Sequence, residues 1–136
     1  MFSYAQWLIP NKVVVCKYSG DLYVEDATNA AEAILELIDA SPSETIHVIY
    51  DMQDIGPLKF ELKDALQSPV AQRFYAHPKL RWSVYVGNRA GNFYTFVTSV
   101  INQSYDAKMR WFDTIDEATK FLIDMDDEIA SADQAS

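Results

Sequence analysis

The order of hydrophobic patterns along the chain limits its possible folds more than any other feature. Short runs rich in β-branched and aromatic residues end near Ser19, Asp51, Asn88 and Asp113. Each run is followed by a segment whose apolar residues recur at helical spacing. Parallel strands need crossover connections of this length, usually through a helix. The pattern therefore predicts a single α/β domain whose later strands are parallel.

The first two extended runs predict a hairpin at one edge of the sheet. They cover residues 2–9 and 12–19, with the turn signal Pro10-Asn11 between them and Gly20-Asp21 at the end. The other predicted elements are a helix over 22–40, a strand over 45–50, a helix from Pro57 that breaks at Pro69, a strand over 80–86, a helix over 92–105, a strand over 109–112 and a helix after Thr114. The expected order is β-β-α-β-α-β-α-β-α, around a mixed sheet of about five strands.

Length and composition narrow the class of protein. The chain has 136 residues, which suits one domain, predicted over 1–125 with an acidic C-terminal tail over 126–136. Its net charge of −9 argues against binding nucleic acid or an anionic membrane surface. No apolar run approaches the about 20 residues that span a bilayer. The N-terminus lacks the features of a signal peptide, and the single cysteine, Cys16, forms no internal disulfide, so we expect a cytoplasmic protein.

Three stretches suggest a particular family. They are SGDLYVEDA at the entry to the first helix, IHVIYDM in the central strand and MRWFDTIDEATKFL in the last strand and helix. Together with the opening hairpin, they resemble the STAS domain, the fold of anti-sigma-factor antagonists such as the SpoIIAA family. The resemblance covers residues 2–125. It implies a regulatory or protein-interaction domain without catalysis.

Antagonists of this family carry a phosphorylatable Ser or Thr just before the helix that follows the central strand, within an Asp-Ser-Ser-Gly stretch. Here the matching stretch is DMQDIGPLKF, which keeps Asp51, Asp54 and Gly56 as rough counterparts but has no hydroxyl residue. The resemblance therefore implies partner binding without the phosphorylation switch. Some SpoIIAA-like relatives are suggested to bind apolar ligands. The alternative function is thus a small-ligand carrier with an apolar pocket under the second helix.

The segment after the central strand is the main candidate site. Open α/β sheets bind ligands beyond the carboxyl ends of their strands, where Asp51 is expected. A helix beginning near Pro57 would offer a partial positive charge to an anionic group. We therefore predict a recognition loop that contains Asp51, Asp54, Gly56 and Pro57. In the simpler interpretation, Asp51 only caps the loop and Asp54 is solvated.

A second candidate is the GNRAG loop over 87–91, where Arg89 and two glycines could hold an anion at a helix N-terminus. It lacks the P-loop and dinucleotide-binding spacings, and ordinary turn chemistry is the alternative interpretation. Tyr94 falls off the apolar face of the next helix and is a candidate contact residue. Exposed aromatic residues in the edge hairpin, with Tyr4, Trp7 and Tyr18 as candidates, would suit a protein contact or a homodimer.

Catalytic and metal-binding signatures are missing from the sequence. It has no Cys/His cluster and no G-x-S-x-G nucleophile elbow, so we predict no metal, no cofactor and no enzymatic activity. His47 is expected to be a hydrogen-bonded core residue, His77 an exposed loop residue and Cys16 a structural cysteine. A small hydrolase or transferase built on Asp51 and His47 remains a third hypothesis.

Overall fold

The computed structural model describes residues 1–61, 64–65, 67–89, 94–95, 97–99, 108–127 and 129. Within these residues the strands form one five-stranded sheet, in the same order as in the chain. The strands are β1 (Phe2–Ile9), β2 (Val13–Leu22), β3 (Ile46–Leu58), β4 (Leu80–Val86) and β5 (Met109–Phe112). β1 and β2 pair antiparallel, and the remaining neighbours pair parallel. The predicted mixed α/β sheet with a hairpin at its edge is confirmed.

Three helices are described in full: α1 (Val24–Ala40), α2 (Pro69–Tyr75) and α3 (Ile115–Met125). The predicted break at Pro69 is the first residue of α2, whose N-cap Ser68 accepts a hydrogen bond from the Ala71 N–H. Thr114 caps α3 by accepting a hydrogen bond from the Glu117 N–H at 3.1 Å. The predicted helix over 92–105 lies mostly outside the described residues.

The Asp26 carboxylate fastens the start of α1 to the edge hairpin. It accepts hydrogen bonds from the backbone N–H groups of Tyr23 at 2.8 Å and of Phe2 at 2.9 Å. Burial alone would raise the pKa of Asp26, but these N–H groups outweigh burial and the pKa lies below its ordinary value. The first helix is thereby held against β1.

The sheet is covered on both faces, and its side chains alternate between them. One face packs against α1 and α2, and its core includes Val14, Val48, Ile34, Ile38 and Phe74. The opposite face packs against α3, and its core includes Val13, Ile49, Val84, Ala118 and Leu122. Strands buried on both faces read as the continuous apolar runs seen at β2, β3 and β4.

β3 is much longer than predicted. The predicted strand ends at Asp51 and the predicted helix begins at Pro57, but Asp51, Asp54, Gly56 and Pro57 all lie within β3. The predicted loop conformation and the predicted helix start at Pro57 are therefore wrong, and recognition of a partner by these four residues stays a prediction. β2 likewise continues past Gly20-Asp21 to Leu22, so it gives β3 a partner along this stretch.

Two irregularities in the β2–β3 register explain the extension. Lys17 pairs with Asp51 but Ser19 with Asp54, and a second shift lies between Gly20 and Leu22, so each bulge inserts one extra residue into β3. The pairing with β4 ends at Asp51. Beyond that point the described residues leave one side of β3 without a partner strand, and an edge position tolerates a proline, which lacks an N–H.

Gly56 shows why this extension carries a glycine. A Cβ atom at this position would lie 2.9 Å from Oδ1 of Asp21 and 3.2 Å from the carbonyl carbon of Gly20. A larger residue would push β3 away from β2. The glycine that suggested a turn in the sequence is therefore required by close strand packing.

Candidate functional site

Lys17 joins the two carboxylates of the predicted recognition segment. Its Nζ lies 2.6 Å from Oδ2 of Asp54 and 3.3 Å from Oδ2 of Asp51. The other Asp51 oxygen, Oδ1, accepts hydrogen bonds from the backbone and side-chain N–H groups of Gln53. Asp51 is buried, whereas 70% of the Asp54 side chain is exposed. The structure thus brings the two predicted carboxylates together around one cation.

This arrangement is better suited to holding strands together than to binding an anion. Burial would lower the pKa of Lys17, but the hydrogen bond to Asp54 and the charge of Asp51 outweigh it and raise that pKa. Lys17 is therefore positively charged, and it compensates the negative charges of the Asp51 and Asp54 carboxylates. No helix begins at Pro57, and the strand order does not reverse at β3 in the described sheet, so the two features that favoured an anion site there are missing.

Replacing Lys17 with methionine tests this structural role. We expect the free energy of unfolding to fall by about 1–3 kcal/mol, because the buried Asp51 carboxylate loses its cation. Asp54→Ala is the matched control, with a loss below about 1 kcal/mol because Asp54 is largely exposed. Urea unfolding of both variants provides the measurement. Equal losses in the two variants would contradict the assignment.

Arg89 and Tyr94, the other predicted site residues, do lie close together. The Arg89 guanidinium is 5.8 Å from the centroid of the Tyr94 ring. It also donates to Asp113, with Nε 2.9 Å from Oδ1 and Nη2 3.4 Å from Oδ2. Residues 90 and 91 of the GNRAG loop lie outside the described residues. Arg89 is thus paired with a carboxylate of its own chain, and anion binding by this loop stays a prediction.

A cavity of about 80 Å³ lies between the sheet, α1, α2 and the neighbouring residues Phe60, Ala65 and Ser68. It occupies the region where the sequence analysis placed an apolar pocket. Its lining residues are Tyr18, Ala27, Ala31, Ile34, Tyr50, Met52, Phe60, Ala65, Ser68, Ala71, Phe74, Tyr75 and Tyr85. None of these side chains is normally charged. Such a site favours neutral molecules, because an unpaired charge in it would be desolvated.

Aromatic rings form the sheet wall of this cavity. Tyr50 and Tyr85 are register partners on β3 and β4, and their rings stack with centroids 4.8 Å apart. Tyr85 also stacks on Trp111 of β5, at 6.0 Å. Burial raises the pKa of Tyr18, Tyr50 and Tyr85 well above the ordinary value. These phenols are therefore neutral at physiological pH, so the wall adds no charge.

Tyr75 stands between this cavity and solvent. It is the last residue of α2, and 49% of its surface is exposed. Its side chain nevertheless lines the cavity together with Tyr85, and its ring packs edge-on against Phe74 at 5.1 Å. Tyr75 is the most exposed of the lining residues and therefore marks the side of the cavity nearest to solvent.

Both ring nitrogens of His47, at the end of β3 opposite to Asp54 and Pro57, form hydrogen bonds. Its Nδ1 accepts a hydrogen bond from the Trp82 backbone N–H at 3.2 Å, so that nitrogen carries no proton. The neutral ring then holds its proton on Nε2 and donates it to Oδ2 of Asp126 at 2.8 Å. Burial, only partly offset by Asp126, lowers the pKa of His47 below its ordinary value. The prediction of a hydrogen-bonded core histidine is confirmed.

Asp51 and His47 do not come together into the catalytic site of the third hypothesis, a small hydrolase or transferase. His47 and Asp51 lie on the same strand four residues apart, a separation of about 13 Å along an extended chain. Both ring nitrogens of His47 already have partners elsewhere. Asp51 therefore cannot orient this histidine as a general base.

His47 also makes stability depend on pH. The folded protein binds its proton less readily than the unfolded chain, so the free energy of unfolding should decrease as pH falls below the ordinary histidine value of 6.5. We expect the decrease between about pH 7 and about pH 5, and His47→Gln should flatten it. Urea unfolding across this range measures both proteins. An equal slope in the variant would assign the effect to other groups.

Three other sequence predictions concern exposure. Cys16 is buried, and burial raises the pKa of its thiol to about 12, as expected of a structural cysteine. The predicted exposure of His77 is wrong, since its ring is half-buried and Nε2 lies 2.8 Å from Oδ1 of Asp39. Tyr4 is exposed as predicted, but Tyr18 is buried because it faces α1 and the cavity.

Comparison with known proteins supports the fold. No protein-family model matches the sequence, and no curated protein is significantly similar to it. Among solved structures, it is similar to an uncharacterized protein of the DUF3478 family with a SpoIIAA-like fold, from Shewanella loihica PV-4. The TM-score is 0.60, with 13% sequence identity over 90% of this chain and 92% of the other. The chain has a SpoIIAA-like fold. At this identity the similarity concerns the fold alone.

The sequence does not predict the tyrosine wall of the cavity. Tyr50 and Tyr85 were interpreted only as parts of apolar strands. The available signal was their equal distance from the starts of two neighbouring predicted strands, since each is the sixth residue of its predicted strand. In a parallel pair of strands, residues at equal distances from the strand starts can become register partners, and the rings of Tyr50 and Tyr85 stack in this way.

Membrane-spanning helices and metal-binding clusters are both absent from the described residues of this SpoIIAA-like domain. In the parts of the chain that the structure describes, no helix is long and apolar enough to cross a membrane. The same parts contain no group of His, Cys, Asp and Glu side chains able to hold a metal ion.

At the C-terminal end, Asp126 bonds to His47 and Ile129 is buried, so packing continues past Met125. The domain boundary at that residue stays a prediction.

Proposed function

We propose that this protein binds a small, neutral, mainly apolar molecule in the cavity between the sheet, α1 and α2. The observation that carries the proposal is the enclosure of that space by aromatic, aliphatic and small side chains, none of them normally charged. Ligand sites in proteins are typically concave and apolar, with a few polar groups that fix orientation. The hydroxyls of the wall tyrosines are such groups. Binding of this kind requires no catalytic residue.

The size of the cavity limits the ligand. An apolar cavity of about 150 Å³ accommodates benzene. The space here is about 80 Å³, enough for a short alkyl chain in the closed form. Displacement of Tyr75 toward solvent would enlarge it enough for one aromatic ring. We therefore expect ligands between a short aliphatic alcohol and a single-ring phenol or indole.

Binding can be tested with indole and p-cresol as probes. Thermal unfolding should shift upward with probe concentration, because a ligand that binds only the folded state stabilises it. Ala31→Leu places extra carbon atoms in the cavity and should weaken binding at least about tenfold. Ala40→Leu, on the same helix but exposed, is the matched control.

Native mass spectrometry of freshly purified protein gives an independent readout of a retained molecule. A concentration-dependent shift in the wild type and Ala40→Leu, absent in Ala31→Leu, would support the proposal. No shift at probe saturation in any of the three proteins would contradict it, as would equal shifts in all three.

A second candidate function is protein interaction through the far end of β3. Beyond Asp51 this strand pairs only with β2 among the described residues, and Asp54 and Pro57 are exposed there. An open strand edge can accept a strand from a partner. This is the regulatory or interaction role that the resemblance to STAS domains implies. A partner that is captured by the wild type and lost with Asp54→Lys, but kept with Lys120→Gln, would support it.

A further inference from the structure

An open groove lies at the opposite end of the parallel strands from Asp51. It runs between the starts of β3, β4 and β5 and the end of α3, with a volume of about 320 Å³. We call it the Trp82 groove, and its lining residues are Thr45, His47, Arg81, Trp82, Lys108, Met125, Asp126 and Asp127. No residue of the proposed ligand cavity belongs to it.

Cations gather around the indole ring at this groove. The Lys108 ammonium is 5.3 Å and the Arg110 guanidinium 5.0 Å from the centroid of the Trp82 ring. Their attraction to the ring face holds these two charges in place at the surface. Phe121 of α3 packs edge-on against the same indole at 4.9 Å, which fixes the ring itself. Arg81 adds a third exposed cation on the groove wall.

These three cations differ from the ion-paired cations of the chain. Lys17, Lys59 and Arg89 each face a carboxylate. Within the described ranges, Arg81, Lys108 and Arg110 form no ion pair, and the side-chain hydrogen bonds of the two arginines go to backbone carbonyls. On a chain of net charge −9 with only 11 Lys and Arg residues, three such cations form a local cluster of positive charge, beside the two carboxylates of Asp126 and Asp127 that line the same groove.

We propose that the Trp82 groove binds a short acidic peptide segment of a partner protein. The cations would pair with its carboxylates, and the exposed Met125 with the edge of Trp82 would contact an apolar side chain. Met125 has 58% of its surface exposed, so its side chain is accessible to a partner at this groove. A long polyanion fits less well, because Asp127 shares the groove and the rest of the surface is acidic.

The test measures fluorescence anisotropy of a labelled peptide with several Glu residues around one Leu, added to the full chain. Its competitors are the same peptide with Gln in place of Glu, inorganic phosphate and an oligothymidylate. The test variants are Arg81→Gln and the double variant Lys108→Gln with Arg110→Gln. Lys120→Gln removes an exposed cation outside the groove and is the matched control. Among the described residues, Lys108 and Arg110 lie over the Trp82 ring and Arg81 does not, so the Arg81 variant separates binding from folding.

We expect the acidic peptide to bind saturably, more weakly at higher salt, and at least about tenfold more weakly in the double variant than in the wild type. Arg81→Gln should weaken it about threefold or more, and Lys120→Gln should leave it unchanged. Equal weakening by Lys120→Gln would overturn the proposal in favour of diffuse attraction. Stronger competition by oligothymidylate than by the acidic peptide would identify a nucleic-acid site instead, and competition by phosphate alone a simple anion site. Absence of binding in the folded wild type would show that the cations only cover the indole.

Discussion

Replacing Tyr85 with alanine should lower the free energy of unfolding by about 3–5 kcal/mol, the range for removing a large aromatic ring from a core. Tyr85 is 4% exposed and occupies the middle of a three-ring row across β3, β4 and β5. Its removal leaves Tyr50 and Trp111 each without a stacking partner. Urea unfolding monitored by circular dichroism measures the loss.

Tyr85→Phe is the control for this experiment, because it keeps the ring and removes only the hydroxyl. Its cost should be about 1 kcal/mol. The alanine variant also creates an enlarged apolar space, and saturating indole should recover part of the lost stability. If the alanine and phenylalanine variants unfold at the same denaturant concentration, the ring row contributes nothing beyond its hydroxyl.

The second large effect is expected at Asp126. Asp126→Ala removes the acceptor of the buried His47 Nε2–H and should cost about 1–3 kcal/mol. The effect should be concentrated where α3 ends, because this carboxylate follows the helix and links it to β3. Hydrogen exchange of the amides from Phe121 to Met125 would locate it.

Asp126→Asn provides the matched comparison. Its side-chain oxygen still accepts a hydrogen bond from a neutral His47, so the loss should be clearly smaller than in the alanine variant. Equal losses in the two variants would mean that the charge of the carboxylate carries the interaction, as expected if His47 is protonated in the folded protein. That result would also contradict the pH dependence expected from its lowered pKa.

The regular strands were predictable because their sequence signals are local. The β-branched and aromatic runs at 80–86 and 109–112 coincide with β4 and β5, residue for residue. The end of β3 was not predictable in this way. Gly56 and Pro57 resemble turn residues, and only the continued pairing with β2 keeps the backbone extended there. Tertiary pairing overrode the local preference.

The candidate sites were predictable only in part, because their contacts join distant positions. Asp51 and Asp54 were identified as a pair, but Lys17, 37 residues away from Asp54, is what holds them. Asp126 lies 79 residues from His47, and no spacing in the sequence links the two. The apolar pocket was predicted from the resemblance to SpoIIAA-like proteins and the break at Pro69, whereas the chemistry of its wall depended on the register of parallel strands.

The identity between strand order in the sheet and order in the chain bears on how the protein is made. Each new strand pairs with the one synthesised just before it, so none has to insert between two strands that are already joined. The sheet can therefore grow in one direction as the chain leaves the ribosome. The face of the sheet that packs against α3 is different, because α3 follows all five strands in the chain. Its apolar residues stay exposed until α3 has been synthesised, so we expect aggregation of the nascent chain to begin most readily at this face.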